Sequence, residues 1–336
     1  MQAESTEFPP PPRLSQLPPL VPGEVRPRVS VVMPTYRRAH LVGETIRSVL
    51  LQSFADFELL VRDDGKGDDG TEESVKKAAQ GDPRVKYHRN EKNLRMPGNL
   101  NGGIEDSRGE YIAVCHDHDI YHPDFLFEYV HLLDKHPTAL FAHTGLEMVD
   151  QEDKPLGAVF VGSWAELSKG RDWLKTMLSS FACPVCALTM VRRQAHERYG
   201  LYDPTYGFIS DVEMWMRLSS VGDVAFAGRP LVRVRTREDG HEATVNPWPV
   251  YATTFAIHRR YGGQAVDSFS GLLRHALMPV RADMQVFREV ASRLRHRSRL
   301  SFGSSVEPLR VGAGPVCRAL LPILSRIDSA FAGEVR

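Results

Sequence analysis

The sequence has little cysteine and no excess of charge. Its four cysteines in 336 residues are too few and too scattered for a disulfide framework, which indicates a reducing compartment. The 42 basic residues are balanced by 42 acidic residues, so the formal net charge is zero. Proteins that bind nucleic acid usually carry a basic excess, so this balance disfavours a nucleic-acid partner.

Long apolar runs are also missing. No stretch approaches the roughly 18 to 20 residues needed to span a bilayer, and the N-terminus lacks the basic and apolar segments of a secretory signal. The motifs GxxxxGK[ST] and GxSxG are absent too, which argues against phosphate-binding-loop enzymes and α/β-hydrolases. We expect a cytoplasmic protein, either free or peripheral at the inner face of a membrane.

Composition divides the chain into three segments. Residues 1–27 are rich in proline and poor in large apolar side chains, which predicts a disordered leader. Residues 28–245 carry the patterns of a folded domain. Residues 246–336 are predicted to be helical, with amphipathic stretches that contain arginine. These helices could cover an acceptor, pair two subunits as a homodimer, lie on a membrane surface, or simply pack as core helices.

Short apolar runs alternate with helical patterns in the central segment. The runs at 29–33, 57–61 and 111–115 predict strands buried on both faces, with helical stretches of about ten residues between them. This alternation predicts an α/β fold with a mainly parallel sheet flanked by helices. Ligands in such folds bind beyond the carboxyl ends of the strands, where two acidic clusters fall.

One acidic cluster is the run His116-Asp117-His118-Asp119, directly after a predicted strand. The spacing of Asp117 and Asp119 lets two carboxylates share one divalent cation, Mn²⁺ or Mg²⁺, which can also bridge diphosphate oxygens. The two histidines add imidazoles that Mn²⁺ or a softer metal tolerates. The alternative is a solvated loop whose carboxylates only cap the next helix, as Asp124 could.

The other acidic cluster, residues 63–70, formally contains GxGxxG after a strand. A dinucleotide-binding loop is a poor interpretation, because the carboxylates of the cluster would repel a pyrophosphate. That motif also belongs after the first strand, where the chain has Pro34-Thr35-Tyr36-Arg37 and no glycine. We expect Asp63 or Asp64 to accept a hydrogen bond from a nucleobase N–H; the alternative is an acidic turn without function.

Asp211 begins a third motif, DVEMWMRL, in which apolar residues form one face of a helix. From spacing alone, an N-cap is the better interpretation of Asp211. The alternative is a general base that takes a proton from an acceptor hydroxyl. Farther along the chain, a polar stretch could approach phosphates or form a solvated edge; it contains Arg233, Arg235, Arg237 and His241.

Together these motifs resemble family 2 glycosyltransferases, which are inverting enzymes with the GT-A fold. The resemblance covers about residues 28–245 and rests on five stretches in the family's order and spacing: VSVVMPTYRR (29–38), VRDDGKGDDGT (61–71), NLRMPGNLNGGIEDSRGEYIAV (93–114), HDHDIYHPDFL (116–126) and DVEMWMRL (211–218). It implies a GT-A domain with a helical C-terminal extension.

The resemblance also implies roles for the matching positions. Asp211 corresponds to the catalytic base, which replaces the N-cap as the favoured interpretation. The metal, Mn²⁺ or Mg²⁺, is expected to contact Asp117, His118, Asp119 and His241. The donor nucleotide is expected to contact Pro34, Thr35, Tyr36, Arg37, Asp63, Asp64, Arg95, Asn101 and Asp117.

Two departures from the family pattern affect these assignments. The family commonly has aspartate at the positions of His116 and His118, followed by Asp119. Either the register shifts so that Asp117 and Asp119 bind the metal, or His118 is itself a ligand, or metal binding is impaired. The second departure is Ser210, where an acidic residue often precedes the base.

The sequence therefore predicts a metal-dependent inverting glycosyltransferase. It would move a sugar from a nucleoside-diphosphate donor, most simply a UDP-sugar, to a glycan, lipid-linked or small-molecule acceptor. A nucleotidyltransferase is an alternative, although the first loop lacks the glycine that handling a triphosphate typically requires. A non-catalytic nucleotide-sugar-binding module is the other alternative, and the two histidines of the metal motif support it.

Overall fold

The computed structural model describes residues 10–17, 25–65, 69–150, 152–159, 164–179, 185, 188–235 and 248–262. The described residues form two compact units. The larger unit contains those up to Trp173 and those from 185 to 235. The smaller unit contains Leu174–Ser179 and the described residues from 248 onward.

One mixed sheet lies at the centre of the larger unit. Within the described ranges it has ten strands, in the order β3-β2-β1-β4-β9-β6-β10-β5, with β7 on β6 and β8 on β10. The strands are β1 (Val29–Thr35), β2 (Phe57–Asp63), β3 (Val85–Arg89), β4 (Tyr111–Val114), β5 (Ile120–Tyr121), β6 (Ala139–Val149), β7 (Pro155–Val159), β8 (Leu167–Ser168), β9 (Met190–Arg192) and β10 (Asp223–Arg235).

Helices connect many of these strands. The described helices are α1 (Ala39–Leu50), α2 (Thr71–Ala79), α3 (Arg95–Asp106), α4 (Phe125–Lys135), α5 (Gly170–Ser179), α6 (Arg193–Tyr199), α7 (Ser210–Ser219) and α8 (Trp248–Gly262). A 3-10 helix, Pro204–Ile209, leads directly into α7.

The sheet has a parallel half and a mixed half. Strands β3, β2, β1 and β4 are parallel, as the alternation of strands and helices predicts. Strand β9 then runs antiparallel to both β4 and β6, and β10 is parallel to β6 but antiparallel to β5. The α/β fold is confirmed, and the sheet as a whole is mixed because β9 reverses its direction.

The core lies between the parallel strands and the helices that cover them. Every side chain of β2 is buried, as expected for a strand with both faces covered. On α1, the residues Val42, Ile46 and Val49 recur at helical spacing, and each is at most 1% exposed. Burial of such a side chain contributes about 1.5 to 3 kcal/mol. This packing fixes the ends of β1 and β2 relative to each other.

Residues 10–17 pack on the larger unit, although they lie in the predicted disordered leader. Leu14 is 5% exposed, and the Pro12 carbonyl accepts a hydrogen bond from the Leu201 N–H at 2.6 Å. Prolines restrict the backbone before folding, so ordering this stretch costs less entropy than ordering an average segment. The packing of residues 10–17 therefore differs from the disorder predicted for them. Residues 1–9 and 18–24 lie outside the described residues.

The predicted start of the C-terminal helical region, residue 246, lies outside the described residues. Helix α8 lies within that region, and the amphipathic stretches beyond residue 262 are not among the described residues. Among the described helices, none has the length and apolar character needed to cross a membrane.

Candidate active site

The candidate site lies where β1, β2 and β4 end, at one edge of the parallel half of the sheet. The Asp64 N–H donates to the Thr35 carbonyl at 2.9 Å, which joins the ends of β1 and β2. The Cys115 N–H donates to the Val32 carbonyl at 3.0 Å, which places the start of the 116–119 loop beside β1. The edge predicted from the sequence is therefore the edge where these loops meet.

The 116–119 loop leaves the extended conformation directly after β4. The His116 N–H donates to the Tyr121 hydroxyl at 2.6 Å, which closes the turn on the first residue of the loop. The imidazole rings of His116 and His118 stack, with centroids 5.6 Å apart and an interplanar angle of 11°. Both rings therefore lie on the same side of the turn.

Three side chains of this loop converge on one point. One potential ligand atom from each of His116, His118 and Asp119 lies within 4.8 Å of the other two. The Asp119 carboxylate is fully buried, with Oδ2 3.3 Å from His116 Nδ1 and Oδ1 3.7 Å from His118 Nε2. Within the described residues, Asp119 Oδ2 has no hydrogen-bond partner.

Asp117 lies behind this group and is not part of it. Its Oδ1 is 2.9 Å from His118 Nδ1. Burial alone would raise the pKa of Asp117, but the hydrogen bond and charge of His118, with Thr35 and Arg38, lower that pKa below its usual value. In a neutral His118 ring the proton is assigned to Nδ1, because this nitrogen faces the ionised Asp117 carboxylate. The lone pair of Nε2 is then directed toward Asp119.

The three-residue group suits a divalent cation. A buried carboxylate oxygen without a partner is a costly arrangement unless a ligand binds it. The imidazole nitrogens add donors with lone pairs, and the Asp117–His118 pair is the arrangement that commonly orients a metal-binding histidine. Of the four predicted ligands, the structure brings together His118 and Asp119 and adds His116; His241 lies outside the described residues.

Asp211 lies in the first turn of α7. The N-cap residue of that helix is Ile209, and Asp211 Oδ1 accepts a hydrogen bond from the neighbouring Val212 N–H at 2.8 Å. Burial raises the pKa of Asp211 to about 6, although the Val212 N–H and the charge of His116 act in the opposite direction. The carboxylate therefore lies within electrostatic range of the metal-ligand group, and it is less acidic than an ordinary aspartate.

The neighbouring segments fix α7 in place. Arg217 of α7 pairs with Glu213 at 3.0 Å and donates to the carbonyls of Tyr199 and Leu201. Both charged side chains are buried, so their mutual pairing compensates for the loss of hydration. This pair attaches α7 to the 199–201 segment and so limits how far Asp211 can move.

The predicted nucleotide residues of the first loop differ in exposure. Thr35 is buried, whereas Tyr36 is 45% exposed and Arg37 is also exposed. The Arg37 guanidinium lies 5.2 Å from the centroid of the Tyr36 ring, and Arg37 has a left-handed φ of 54°. Pro34 is partly exposed at the end of β1. An aromatic ring and a cation are thus presented to solvent at the edge where a nucleotide is expected.

Asp63 and Asp64 both make hydrogen bonds within the protein. Asp63 Oδ2 accepts from the Tyr87 hydroxyl at 2.6 Å, and its Oδ1 accepts from the Gly65 N–H at 2.8 Å. Asp64 accepts from Asn90 Nδ2 and from the N–H groups of Leu94 and Arg95. Each carboxylate oxygen can accept more than one hydrogen bond, so these contacts shape the pocket without excluding a nucleobase.

Arg95 and Asn101 are placed differently from each other. Arg95 is exposed at the start of α3, where its N–H donates to Asp64 at 2.7 Å. Asn101 is buried and forms a reciprocal pair with the backbone of Tyr202: its Nδ2 donates to the carbonyl at 2.7 Å, and its Oδ1 accepts from the N–H at 3.1 Å. Asn101 therefore connects α3 to the segment that precedes α7.

From the sequence, Arg235 is expected either to approach phosphates or to form part of a solvated edge. In the structure it contacts Asp153 at 2.7 Å and Glu44 at 2.7 Å, and its Nη1 donates to the His118 carbonyl at 3.4 Å. Its own N–H reaches Asp119 Oδ1 at 3.4 Å. The alternating arginines of β10 indicate that Arg235 could have a functional role, but the residues it contacts are too distant in sequence to be predicted. Arg233 pairs with Glu147, and Arg237 lies outside the described residues.

Comparisons with known proteins agree with this arrangement. The model of the family described as Glycosyl transferase family 2 matches residues 30–200. An uncharacterised glycosyltransferase of Rickettsia felis is 27% identical over 210 residues, which cover 62% of this chain and 34% of the relative. The chain thus matches about a third of the length of the first curated relatives.

Two solved structures share this fold. Residues 1–349 of TarS of S. aureus, solved in complex with UDP, superimpose with a TM-score of 0.60 at 16% identity, over 90% of this chain and 88% of that fragment. The mannosyltransferase PcManGT of Pyrobaculum calidifontis, solved with GDP-Man and Mn²⁺, gives a TM-score of 0.53 at 17% identity, over 80% of this chain and 81% of PcManGT. The chain has the GT-A fold, and it belongs to glycosyl transferase family 2.

Proposed function

We propose that this chain is a metal-dependent inverting glycosyltransferase that moves a sugar from a nucleoside-diphosphate donor to an acceptor hydroxyl. One observation carries the proposal: Asp211, whose pKa is raised to about 6 by burial, lies within electrostatic range of His116 in the group of potential metal ligands. This supports a general base and a cation that act on the same substrate, as a displacement at a sugar diphosphate requires.

The residues of the site are proposed to have separate roles. A cation held by His116, His118 and Asp119 would offset the negative charge of the departing diphosphate. His241 stays a predicted further contact. Asp211 accepts the proton of the acceptor hydroxyl while that oxygen attacks the anomeric carbon.

The direction of attack gives the stereochemistry. Because the oxygen attacks from the face opposite the diphosphate, the configuration at the anomeric carbon inverts. An Asp211 pKa of about 6 keeps the base ionised near neutral pH, yet makes it more basic than a solvated aspartate.

The donor is proposed to lie along the ends of β1 and β2. The exposed Tyr36 ring offers a surface for stacking, and Arg37 offers a positive charge for phosphate. Asp63 and Asp64 hold the loops on either side and retain capacity to accept from a base N–H. The complexes of TarS with UDP and of PcManGT with GDP-Man support a nucleotide-sugar donor, and we propose a UDP-sugar.

The acceptor is proposed to be a glycan, a lipid-linked sugar or a small molecule that reaches Asp211. Contact with a membrane surface or with a second copy through the C-terminal helices remains a prediction, as does a cytoplasmic location. Residues 263–336 carry no structural argument for either, since they are outside the described ranges.

Release of nucleoside diphosphate tests the proposed reaction. The full chain is incubated with Mn²⁺, a panel of UDP- and GDP-sugars and a mixture of sugar acceptors, and the products are separated. We expect transfer with free nucleoside diphosphate, a product of inverted anomeric configuration by NMR, and loss of transfer in Asp211→Asn with donor binding retained. Asp124→Asn is the matched control, because Asp124 pairs with Ser53 and Arg229 away from the group of ligands.

Each rival has its own outcome. Release of pyrophosphate from a nucleoside triphosphate indicates a nucleotidyltransferase. Tight donor binding without turnover on any acceptor or water indicates a binding module. Near-normal transfer by Asp211→Asn refutes the assignment of the base, and product with retained configuration refutes the single displacement.

A further inference from the structure

We propose that the site formed by His116, His118 and Asp119 selects a transition-metal cation such as Zn²⁺, Co²⁺ or Mn²⁺ and discriminates against Mg²⁺. The inference rests on the proposed function only in that the cation serves the same site. It concerns which cation binds, and it can be tested without a donor or an acceptor.

The chemistry of the donors favours this selection. The group offers two imidazoles and a single carboxylate. Mg²⁺ requires hard oxygen ligands in near-ideal octahedral geometry and gives up its bound water reluctantly. Imidazole therefore contributes little to its binding. Zn²⁺, Co²⁺ and Mn²⁺ accept mixed nitrogen and oxygen ligands, with affinity rising from Mn²⁺ through Co²⁺ to Zn²⁺ in the usual order.

Nearby carboxylates do not convert the group into an oxygen site. Asp117 is committed to His118 Nδ1 on the far side of that ring, where it orients the imidazole instead of joining the ligands. Asp211 accepts from the Val212 N–H and is not part of the group. Within the described residues, Asp119 alone supplies a carboxylate to the group, through a fully buried Oδ2 that lacks a hydrogen-bond partner.

The loop also holds these ligands in position. The Tyr121 hydroxyl accepts from the His116 N–H, and Arg235 contacts both the His118 carbonyl and Asp119 Oδ1. A change of the loop backbone that replaced a histidine by Asp117 would have to break the Asp117–His118 contact and these hydrogen bonds together. The geometry therefore keeps nitrogen, not oxygen, as the majority donor.

Binding is measured on the full chain, stripped of metal with a chelator and purified without a polyhistidine tag. Zn²⁺, Co²⁺, Mn²⁺ and Mg²⁺ are titrated separately by calorimetry, and bound Co²⁺ is followed by its visible absorption. We expect saturable binding in the order Zn²⁺, Co²⁺, Mn²⁺ and no response to Mg²⁺ at the same concentrations. Asp117→Asn should weaken Co²⁺ binding about 10- to 100-fold, as the loss of an orienting partner does.

A ligand exchange gives the decisive comparison. His118→Asp, alone or with His116→Asp, turns the site into one of oxygen donors, so it should lose Co²⁺ absorption and gain binding of Mg²⁺. His122→Asp is the matched control, because that exposed ring lies outside the group and its substitution should leave the wild-type order unchanged. Circular dichroism of each metal-free variant identifies any that fail to fold, and the wild-type titrations stand without them.

Equal responses to Mg²⁺ and Mn²⁺ in the wild type, or no binding of any of the four cations, would overturn the proposal. The outcome is distinct from that of the transfer assay. Selective Co²⁺ binding without transfer leaves the cation site intact and refutes the reaction. Full transfer in excess chelator supports the reaction and refutes its need for the cation.

Discussion

Replacement of the proposed base by its neutral isostere should abolish transfer and yet make the protein more stable. Burial raises the pKa of Asp211 from its usual 3.8 to about 6. Between these two values the folded carboxyl keeps its proton while the unfolded one has lost it. The free energy of unfolding therefore falls as the pH rises through this interval, and the full loss is present above about pH 6.

The size of the effect follows from the pKa difference. Each pKa unit corresponds to about 1.4 kcal/mol, so the ionised carboxylate destabilises the folded state by roughly 3 kcal/mol at most. Asp211 is partly exposed, and solvent screening reduces this to about 2 kcal/mol. An asparagine keeps the oxygen that accepts from Val212 without the charge. Asp211→Asn should thus raise the melting temperature by about 4 to 8 °C at pH 8.

The measurement is thermal unfolding of both proteins between pH 4 and pH 8, with a chelator present because a bound cation would itself stabilise the carboxylate. Asp223→Asn is a control of opposite sign: despite its burial, hydrogen bonds from Lys169, Thr138 and the Gly170 N–H lower the pKa of Asp223. That variant should lose about 1 to 3 kcal/mol. If Asp211→Asn melts at or below the wild type at pH 8, the argument from burial is wrong.

Three further outcomes follow from the contacts described. The transfer rate, measured as kcat at saturating donor, should rise with pH and level off above an apparent pKa of about 6, because only ionised Asp211 accepts the proton. A flat profile between pH 5 and 8 would refute this. Arg235→Met should destabilise the protein by about 1 to 3 kcal/mol in chemical denaturation, since it leaves the buried His118 carbonyl without this donor. Water can hydrate the partly exposed Glu44 and Asp153, so their loss of a partner adds little. Arg233→Met, with its exposed pair, should change stability by less than about 1 kcal/mol. Asn101→Ala should lower stability by about 1 to 3 kcal/mol through loss of the Tyr202 contacts while leaving donor affinity unchanged; a selective loss of donor affinity would restore its predicted role as a nucleotide contact.

Three strands of the parallel half, β1, β2 and β4, could be predicted because each contains a continuous apolar run. The prediction for β1 at 29–33 falls short only because the strand continues through Pro34 to Thr35. Proline lacks an N–H, but the carbonyl side of the strand can still pair there. Helix α7 follows in the same way from its apolar face. Local pattern and tertiary structure agree in these elements, so the sequence suffices.

Strand β6 was not predicted, although it is one of the longest strands described. Polar residues such as His143, Thr144 and Glu147 interrupt its apolar pattern. Its stability depends on pairing with β10 and with the short β9, whose direction reverses the sheet. In the paired registers these partners are 40 or more residues distant along the chain, so β6 and its mixed pairing have no local signal.

The sequence predicts the site at a strand end but leaves its ligands open, and the site stays a prediction. Alternation along a strand predicts Asp117 and Asp119 on one face, because successive side chains point to opposite sides. The chain turns after β4, so that rule no longer applies, and His116 joins His118 and Asp119 instead. Asn101 shows the same limit, because its partner Tyr202 is 101 residues away.

The ordered stretch at residues 10–17 bears on how this chain should be shortened for study. Gly200 has a φ of +102°, and a Cβ there would come within 2.7 Å of Pro11 Cγ, so the backbone is fitted to the proline segment. A chain trimmed to begin at residue 28, where composition changes, would lose the carbonyl that Leu201 contacts and the apolar cover supplied by Leu14. The newly uncovered surface would adjoin the segment between α6 and α7, and its tendency to aggregate would belong to the truncation and not to the enzyme.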